Sequence, residues 1–208
     1  MTKITLFDYW RSSAAYRLRI AFNLAQLPYE SVPVDLVAGE HKEAEHTARN
    51  PQGLVPAVEI DGRMLTQSLA VIEYLHDAGH YHFLPQDILG RARVRALSYA
   101  IAMEIHPVCN LSVAKFATEN CAEMTMKDWM QTWIPKGFAG LEGVLGAEDT
   151  YMHGQAISMA DVCLVPQMYN ANRWEVDMKP FPLIRSRFDR LQDMPEIAAA
   201  HPDQFKPS

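Results

Sequence analysis

Two serines stand where a short β-favouring run gives way to a helical pattern, and their type and spacing suit them to chemistry. Ser12 and Ser13 follow the run Ile4–Phe7 and precede apolar residues at helical spacing. Hydroxyl and free N–H groups at the start of a helix favour an anion or a thiolate. A serine in this place also serves as an ordinary helix cap. The pair therefore indicates either an anion or thiolate site, or simple capping.

Two further junctions could present polar groups to a ligand. Pro56 opens a predicted strand, and a cis bond from Val55 would turn the N–H and C=O of Val55 outward, free to pair with an extended peptide. The alternative is a plain proline at a strand edge. Gln67 and Ser68 precede another helical pattern. Ser68 could cap that helix or offer its hydroxyl and N–H to a carboxylate.

Two arginines could bind carboxylates. Arg11 directly precedes the serine pair, and Arg173 follows a helical pattern in the second half of the chain. Two guanidinium groups acting on one substrate would suit a dicarboxylate, because each fork can bind one carboxylate through two hydrogen bonds. Solvated surface arginines are the alternative for both.

Composition excludes several classes of protein. The 208 residues include 19 basic and 25 acidic side chains, for a net charge of −6, and 49% are hydrophobic. This profile is that of a globular chain, and neither half is basic, so we expect no nucleic-acid or anionic-membrane partner. We find no secretory signal and no apolar run of about 20 residues, so we expect no membrane span. The histidines lack metal-ligand spacing, and Cys109, Cys121 and Cys163 form no close pair. We expect no metal and a cytoplasmic location.

The first part of the chain alternates between strand and helix patterns. The order is strand, helix, strand, helix, hairpin, helix, with the second strand predicted from alternating valines and leucine over residues 32–36 and the hairpin turn at Asp61-Gly62. This order implies a small, partly parallel sheet with helices on its faces. We therefore predict an α/β domain over residues 1–80.

The second part of the chain has only helical patterns. One long stretch, 91–116, contains Pro107, which predicts a kink or a break. Further helices are predicted over 126–145 and 159–172, the last preceded by a capping box from Ser158 to Asp161. We therefore predict an all-α domain over residues 87–208.

Several segments together resemble the zeta-class glutathione transferases, the family of the maleylacetoacetate and maleylpyruvate isomerases. The matching segments are Tyr9–Ala21, Asn50–Pro56, Gln67–Leu75, Ile105–Val113, Met159–Gln167 and Arg173–Asp177. The resemblance covers nearly the whole chain. It implies a thioredoxin-like N-terminal domain, a helical glutathione-transferase C-terminal domain, glutathione as cofactor, a small-molecule substrate and a homodimer.

The resemblance also implies a role for individual residues. Ser12 and Ser13 would lie at the sulfur of glutathione and be catalytic, with Ser12 the donor to the thiolate. From the position of the pair we further expect Ser13 to act mainly on the helix start. Arg11 and Arg173 would bind the carboxylates of the substrate. The implied glutathione site consists of Ser12, Ser13, His41, Val55, Pro56, Gln67, Ser68, His106, Asn110, Leu111 and Ser112.

The activity implied by the resemblance is glutathione-dependent cis–trans isomerisation of maleylacetoacetate or a similar ene-dione dicarboxylate, a step of aromatic amino-acid catabolism. One departure from the family is Ala14, which stands where a cysteine usually follows the two serines. Since glutathione supplies the thiol, we expect catalysis to survive this change with an altered rate or substrate range. Two alternatives stay open: a transferase that conjugates or dehalogenates small electrophiles, and a non-catalytic interaction module.

Overall fold

The structure, a computed structural model that describes residues 2–207, divides into two units. The first runs to Phe83 and also includes the C-terminal segment from Met194, and the second spans Leu84–Asp193. The predicted α/β part followed by a helical part is confirmed. The predicted limits, 1–80 and 87–208, assign the C-terminal segment to the helical domain. In the structure this segment packs with the first unit instead.

The first unit is built on a four-stranded sheet in the order β2-β1-β3-β4. Strand β1 pairs in parallel with β2 and antiparallel with β3, and β3 pairs antiparallel with β4. Its elements are β1 (Ile4–Asp8), α1 (Ser13–Leu24), β2 (Glu30–Pro33), a 3₁₀ turn (Glu40–Lys42), α2 (Ala44–Arg49), β3 (Ala57–Ile60), β4 (Arg63–Thr66) and α3 (Ser68–Asp77).

The second strand lies earlier in the chain than its alternating pattern predicts, and the prediction of a strand over 32–36 is wrong at its C-terminal end. The N–H of Val34 still donates to the carbonyl of Asp8 (2.7 Å). Beyond it, the Asp35 carboxylate accepts from the N–H of Val37 (2.7 Å), which turns the chain away from the sheet. The alternation therefore reflects partial burial without further strand pairing.

The hairpin is confirmed at its predicted turn. Asp61 and Gly62, between β3 and β4, both have left-handed backbones, with φ of 48° and 79°. Positive φ at both central residues is what a two-residue hairpin turn of type I′ requires. On one face of the sheet Phe7, Val34 and Ala57 form a buried cluster.

The helical unit contains seven segments. They are α4 (Ile88–Tyr99), a π-helical segment (Ala100–Ile105), α5 (His106–Val108), α6 (Leu111–Glu119), α7 (Met126–Glu142), α8 (Met159–Arg173) and α9 (Pro182–Leu191). The stretch 91–116 is thus not one kinked helix. The chain leaves the helix after α5, and Asn110 caps a new one, because an Asn side chain competes well for the N–H groups of a first turn.

The predicted capping box at the start of α8 is confirmed. The Asp161 carboxylate accepts from the N–H and the hydroxyl of Ser158 (2.9 and 2.8 Å) and from the N–H of Met152 (2.9 Å). Burial raises the pKa of Asp161 to about 6, against the lowering effect of these hydrogen bonds. The carboxylate therefore anchors both the helix and the loop that precedes it.

The C-terminal segment contains α10 (Pro195–Ala198) and a 3₁₀ turn (Pro202–Gln204). It is joined to α1 by side chains that reach its backbone: Asn23 Nδ2 donates to the carbonyl of Glu196 (2.8 Å), and Arg19 Nε donates to the carbonyl of Ala200 (3.1 Å). These long-range bonds account for the place of the segment in the first unit. Among residues 2–207, no helix is both long and apolar enough to cross a membrane.

Candidate active site

Ser12 is the residue that caps α1. Its N–H donates to the carbonyl of Tyr9 (2.8 Å), and its Oγ accepts from the N–H of Ala15 (3.2 Å). The hydroxyl proton is still available to donate, since an accepting hydroxyl oxygen keeps its own proton. Helix geometry leaves the N–H groups of Ser13 and Ala14 without intrahelical acceptors. The expectation that Ser13 governs the helix start is wrong, because Ser12 makes the capping bond.

Arg11 is held beside this loop by two aromatic rings. Its Nη2 donates to the hydroxyl of Tyr9 (3.1 Å), and its guanidinium lies 4.6 Å from the centre of the Trp10 ring. A cation over an aromatic face is stabilised and loses orientational freedom. The Arg11 charge is therefore fixed next to Ser12.

The backbone before β3 is held by two buried side chains. His46 Nε2 and Asn50 Nδ2 both contact the carbonyl oxygen of Leu54, at 2.9 and 2.8 Å. The next peptide bond, Val55–Pro56, is cis, and the Val55 side chain packs on the apolar cluster of the sheet. Within residues 2–207 neither the N–H nor the C=O of Val55 has a hydrogen-bond partner. Val55 is thus held in place, while its backbone N–H and C=O are available to a ligand.

His46 and Asn50 were not identified from the sequence. Asn50 entered only as the first residue of a segment that resembles the family, and His46 drew no hypothesis. The one local signal was a short polar side chain, Asn50, directly before the Pro51-Gln52-Gly53 turn. Such side chains bind nearby backbone groups.

The start of α3 combines an unusual backbone with a buried hydroxyl. Gln67 has a φ of 67° and its Nε2 donates to Gln52 Oε1 (2.9 Å). Ser68 is the first helical residue and is buried, and its Oγ accepts from Arg17 Nη1 (3.3 Å). Of the two alternatives for Ser68, helix capping is not observed, since the cap position is Gln67 and no side chain caps it. The first N–H groups of α3 are therefore left for an external acceptor.

His41 lies in the 3₁₀ turn that precedes α2. Burial, with smaller contributions from the charge of Lys42 and from His46, lowers the pKa of His41. This lowering of the pKa favours the neutral ring, which can offer a hydrogen bond but no charge. Its backbone carbonyl lies close to Gly53, where an added Cβ would come within 3.2 Å, so this turn packs on the loop before Val55.

In the helical unit, Asn110 Oδ1 accepts from both the N–H and the hydroxyl of Ser112, each at 3.2 Å. Leu111, between them, exposes about half of its surface (52%). His106 begins α5. Burial raises the pKa of the neighbouring Cys109 thiol to about 11, which keeps it protonated and unsuited to act as a nucleophile.

Arg173 is the last residue of α8. Its guanidinium lies 4.7 Å from the centre of the Trp174 ring. The backbone after it is tied to α7, because Gln131 Nε2 donates to the carbonyls of Trp174 and Glu175 (2.9 and 3.1 Å) and Lys127 pairs with the Glu175 carboxylate. The end of α8 that carries Arg173 is therefore fixed within the helical unit.

No group of three or more His, Cys, Asp or Glu side chains that could hold a metal occurs among residues 2–207. The arrangement in the first unit is instead suited to an extended, thiol-bearing anion. It offers a hydroxyl at one helix start, a free backbone donor and acceptor at Val55, and free N–H groups at a second helix start.

Comparison with known proteins agrees with this geometry. Residues 2–77 match the glutathione S-transferase N-terminal domain, and residues 106–200 match the C-terminal domain of the same family. The chain is 51% identical over 207 residues to a maleylacetoacetate isomerase of Rhizobium meliloti (strain 1021), covering 97% of each chain.

Two solved structures are similar over almost their whole length. A bacterial zeta-class maleylpyruvate isomerase, in its holo form, superposes with a TM-score of 0.91 at 36% identity, covering 98% of this chain and 99% of the other. A maleylacetoacetate isomerase from Methylobacterium extorquens AM1, with bound malonate and glutathione, superposes with a TM-score of 0.90 at 33% identity, covering 98% of each chain. The chain belongs to the glutathione S-transferase family, in the zeta class that contains the maleylacetoacetate and maleylpyruvate isomerases.

Proposed function

We propose that this protein is a glutathione-dependent cis–trans isomerase that acts on maleylacetoacetate or a similar ene-dione dicarboxylate. The observation that carries the proposal is Ser12, whose hydroxyl caps α1 and keeps its proton for a thiolate. The curated relative at 51% identity, named as a maleylacetoacetate isomerase, supports the choice of reaction.

The residues of the first unit fit glutathione in its three parts. The thiol would accept from the Ser12 hydroxyl, beside the positive end of α1. The peptide backbone would pair with the free N–H and C=O of Val55, as Pro56 leads into β3. The γ-glutamyl carboxylate would bind at the start of α3, where Gln67 and Ser68 present side chains and N–H groups.

We assign the remaining predicted contacts to the same ligand. His41 would contribute from the first unit, and His106, Asn110, Leu111 and Ser112 from the helical unit. For Asn110, the capping bonds from Ser112 occupy Oδ1, so its amide N–H groups are the ones suited to donate to a ligand. Ser13 would offer its N–H to the sulfur.

When bound, glutathione supplies a thiolate that adds reversibly to the cis double bond and is regenerated after rotation about that bond, so it is not consumed. The contribution of Ser12 is to donate a hydrogen bond that favours the thiolate over the thiol, whose ordinary pKa is about 8.5. Arg11, fixed by Tyr9 and Trp10, would bind one substrate carboxylate and stabilise negative charge that develops next to it.

Arg173 would bind the second carboxylate. Its position at the tied end of α8 favours a fixed, bidentate contact over a mobile one. The related structure from Methylobacterium extorquens AM1 contains malonate, itself a dicarboxylate, together with glutathione. This supports a dicarboxylate as the class of substrate.

The test compares maleylacetoacetate and maleylpyruvate in one assay while free thiol is measured. Isomerisation with glutathione conserved is the expected result. Stoichiometric loss of glutathione would instead identify a conjugating or dehalogenating transferase. An absence of turnover, together with no retention on immobilised glutathione, would identify an interaction module without catalysis.

We further propose that the protein is a cytoplasmic homodimer, as its family resemblance implies. All three cysteines are free, which is in keeping with a reducing compartment. Light scattering of the purified protein should give twice the chain mass of 23.5 kDa, and a mass of one chain would refute the dimer. Fractionation of the source cells tests the location.

A further inference from the structure

Arg19 is a charged side chain enclosed completely within the first unit. Its relative exposure is 0%, and it lies on α1 two turns after Ser12. A buried guanidinium is costly unless all of its donors are satisfied and its charge is paired. The partners of Arg19 therefore reveal which parts of the fold it holds.

Those partners belong to three separate segments. Nη1 pairs with the Asp8 carboxylate at the end of β1 (2.8 Å), Nη2 donates to the carbonyl of Trp10 (2.9 Å), and Nε donates to the carbonyl of Ala200 in the C-terminal segment (3.1 Å). The ring of Phe205 covers the guanidinium at 4.4 Å. One side chain thus joins the end of β1, the loop before α1 and the C-terminal segment.

The bond to Trp10 acts directly on the loop that carries Ser12. Residues 9–12 form a tight turn in which the Ser12 N–H donates to the carbonyl of Tyr9 (2.8 Å). Trp10, between them, has its carbonyl fixed by Arg19 and its ring covered by Arg11 (4.6 Å). A shift of the Trp10 carbonyl would therefore act on the turn that holds Ser12 and on the ring that lies against Arg11.

Arginine is required by this geometry. A planar guanidinium can donate in three fixed directions, to the Asp8 carboxylate and to the carbonyls of Trp10 and Ala200. The single ammonium of a lysine cannot reach all three acceptors. The C-terminal segment is part of the arrangement, since without the Ala200 carbonyl and the Phe205 ring the guanidinium would be open to solvent on that side.

We propose that Arg19 is a positioning residue for catalysis, which acts with the C-terminal segment to fix the loop that carries Ser12 and Arg11. The inference rests on the proposed function, in that Ser12 is taken as the donor to the thiolate. The proposal gives the C-terminal segment a role in the active site of the first unit. The sequence does not suggest this role, because the segment lies more than 180 residues from Ser12.

The test uses the full chain with Arg19→Lys, which keeps the charge beside Asp8 and loses the fork. Arg187→Lys is the matched control. Arg187 is also buried (2% exposed) and donates to three backbone carbonyls, those of Tyr151, Leu183 and Gly146, but all of them lie in the helical unit. Both variants should lose thermal stability to a similar extent.

Two measurements separate positioning from stability. In the ligand-free protein, hydrogen exchange of the Ser12 amide should accelerate in Arg19→Lys and stay at the wild-type rate in Arg187→Lys. In the glutathione complex, the thiolate ultraviolet absorbance should titrate at higher pH in Arg19→Lys only. The kcat of Arg19→Lys should fall roughly 10- to 100-fold, as for other displacements of catalytic geometry, with the KM for glutathione within about threefold of wild type because the α3 site is intact.

The result that overturns the proposal is an Arg19→Lys protein whose Ser12 exchange and thiol titration match those of Arg187→Lys. If Arg19→Lys does not fold, Phe205→Ala is measured, and an unchanged titration and exchange there overturn the proposal equally. A wild-type protein that binds glutathione without isomerising the substrates refutes the proposed function alone, since exchange and titration still decide the role of Arg19.

Discussion

Replacing Ser12 changes two quantities that the structure allows us to separate. Ser12→Ala removes the cap of α1, in which Oγ accepts from the Ala15 N–H, and this should lower the free energy of unfolding by about 1 kcal/mol. It also removes the donor to the thiolate. A hydrogen bond to a charged group contributes about 1.5–3 kcal/mol, which corresponds to roughly 1–2 units in the pKa of the bound thiol.

Ser12→Gly isolates the second effect. Glycine is nearly as good as serine at a helix cap, with a difference of only a few tenths of a kcal/mol, but it offers no hydroxyl. Ser12→Gly should therefore be almost as stable as the wild type, while the pKa of bound glutathione rises as far as in Ser12→Ala. Ser12→Thr should retain both the cap and the donor. Ser13→Ala should leave both quantities near their wild-type values, because its N–H is unchanged.

The assay follows thiolate absorbance against pH with glutathione bound, alongside thermal unfolding of the free protein. Turnover at neutral pH should fall in step with the thiolate fraction in both the alanine and the glycine variants. If the glycine variant binds glutathione with the same thiol pKa as the wild type, Ser12 is only a helix cap and the activating group must be sought elsewhere.

Three further changes should have distinct outcomes. Arg173→Met should lower kcat/KM for a dicarboxylate about 10- to 150-fold, the equivalent of one charge-assisted contact, and leave glutathione affinity unchanged; equal losses with a neutral electrophile would contradict this. Gln67→Ala/Ser68→Ala should weaken glutathione binding, measured by calorimetry, by a few kcal/mol at most. Unchanged affinity would show that the γ-glutamyl carboxylate does not bind at the start of α3. Since burial raises the pKa of Asp161 to about 6, its contribution to stability is largest below about pH 4 and is lost as the pH rises through about 6. Asp161→Asn should abolish that slope in denaturant titrations and, by placing an NH₂ group against buried N–H donors, cost about 1–3 kcal/mol.

The sequence predicted those parts of the site that depend on local patterns. The place of Ser12 at a strand-to-helix junction, the hairpin turn at Asp61-Gly62 and the capping box of Asp161 all follow from residues within a few positions of one another. The family resemblance supplied the grouping of Ser12 with Val55 and Gln67, which no periodicity could give.

What the sequence did not predict depends on contacts between distant segments. Arg17 reaches Ser68 across 51 positions, and Arg19 reaches Ala200 across 181. In a sequence, an arginine on a helix is by default a solvated side chain, and only the fold shows which acceptor it meets. For the same reason the C-terminal segment, which has no strand pattern, was assigned to the helical domain, whereas its hydrogen bonds place it with α1.

These distant contacts share one arrangement within the first unit. Three of the segments assigned to glutathione are each held by a buried polar side chain from another element: the loop of Ser12 by Arg19, the peptide before Val55 by His46, and Ser68 by Arg17. Groups that are already fixed lose little conformational entropy when a ligand binds. The ligand, a flexible tripeptide, must still be ordered, so a rigid site retains more of the hydrogen-bond energy for binding and for stabilising the thiolate. Loss of any one support should therefore weaken function without removing a single ligand contact.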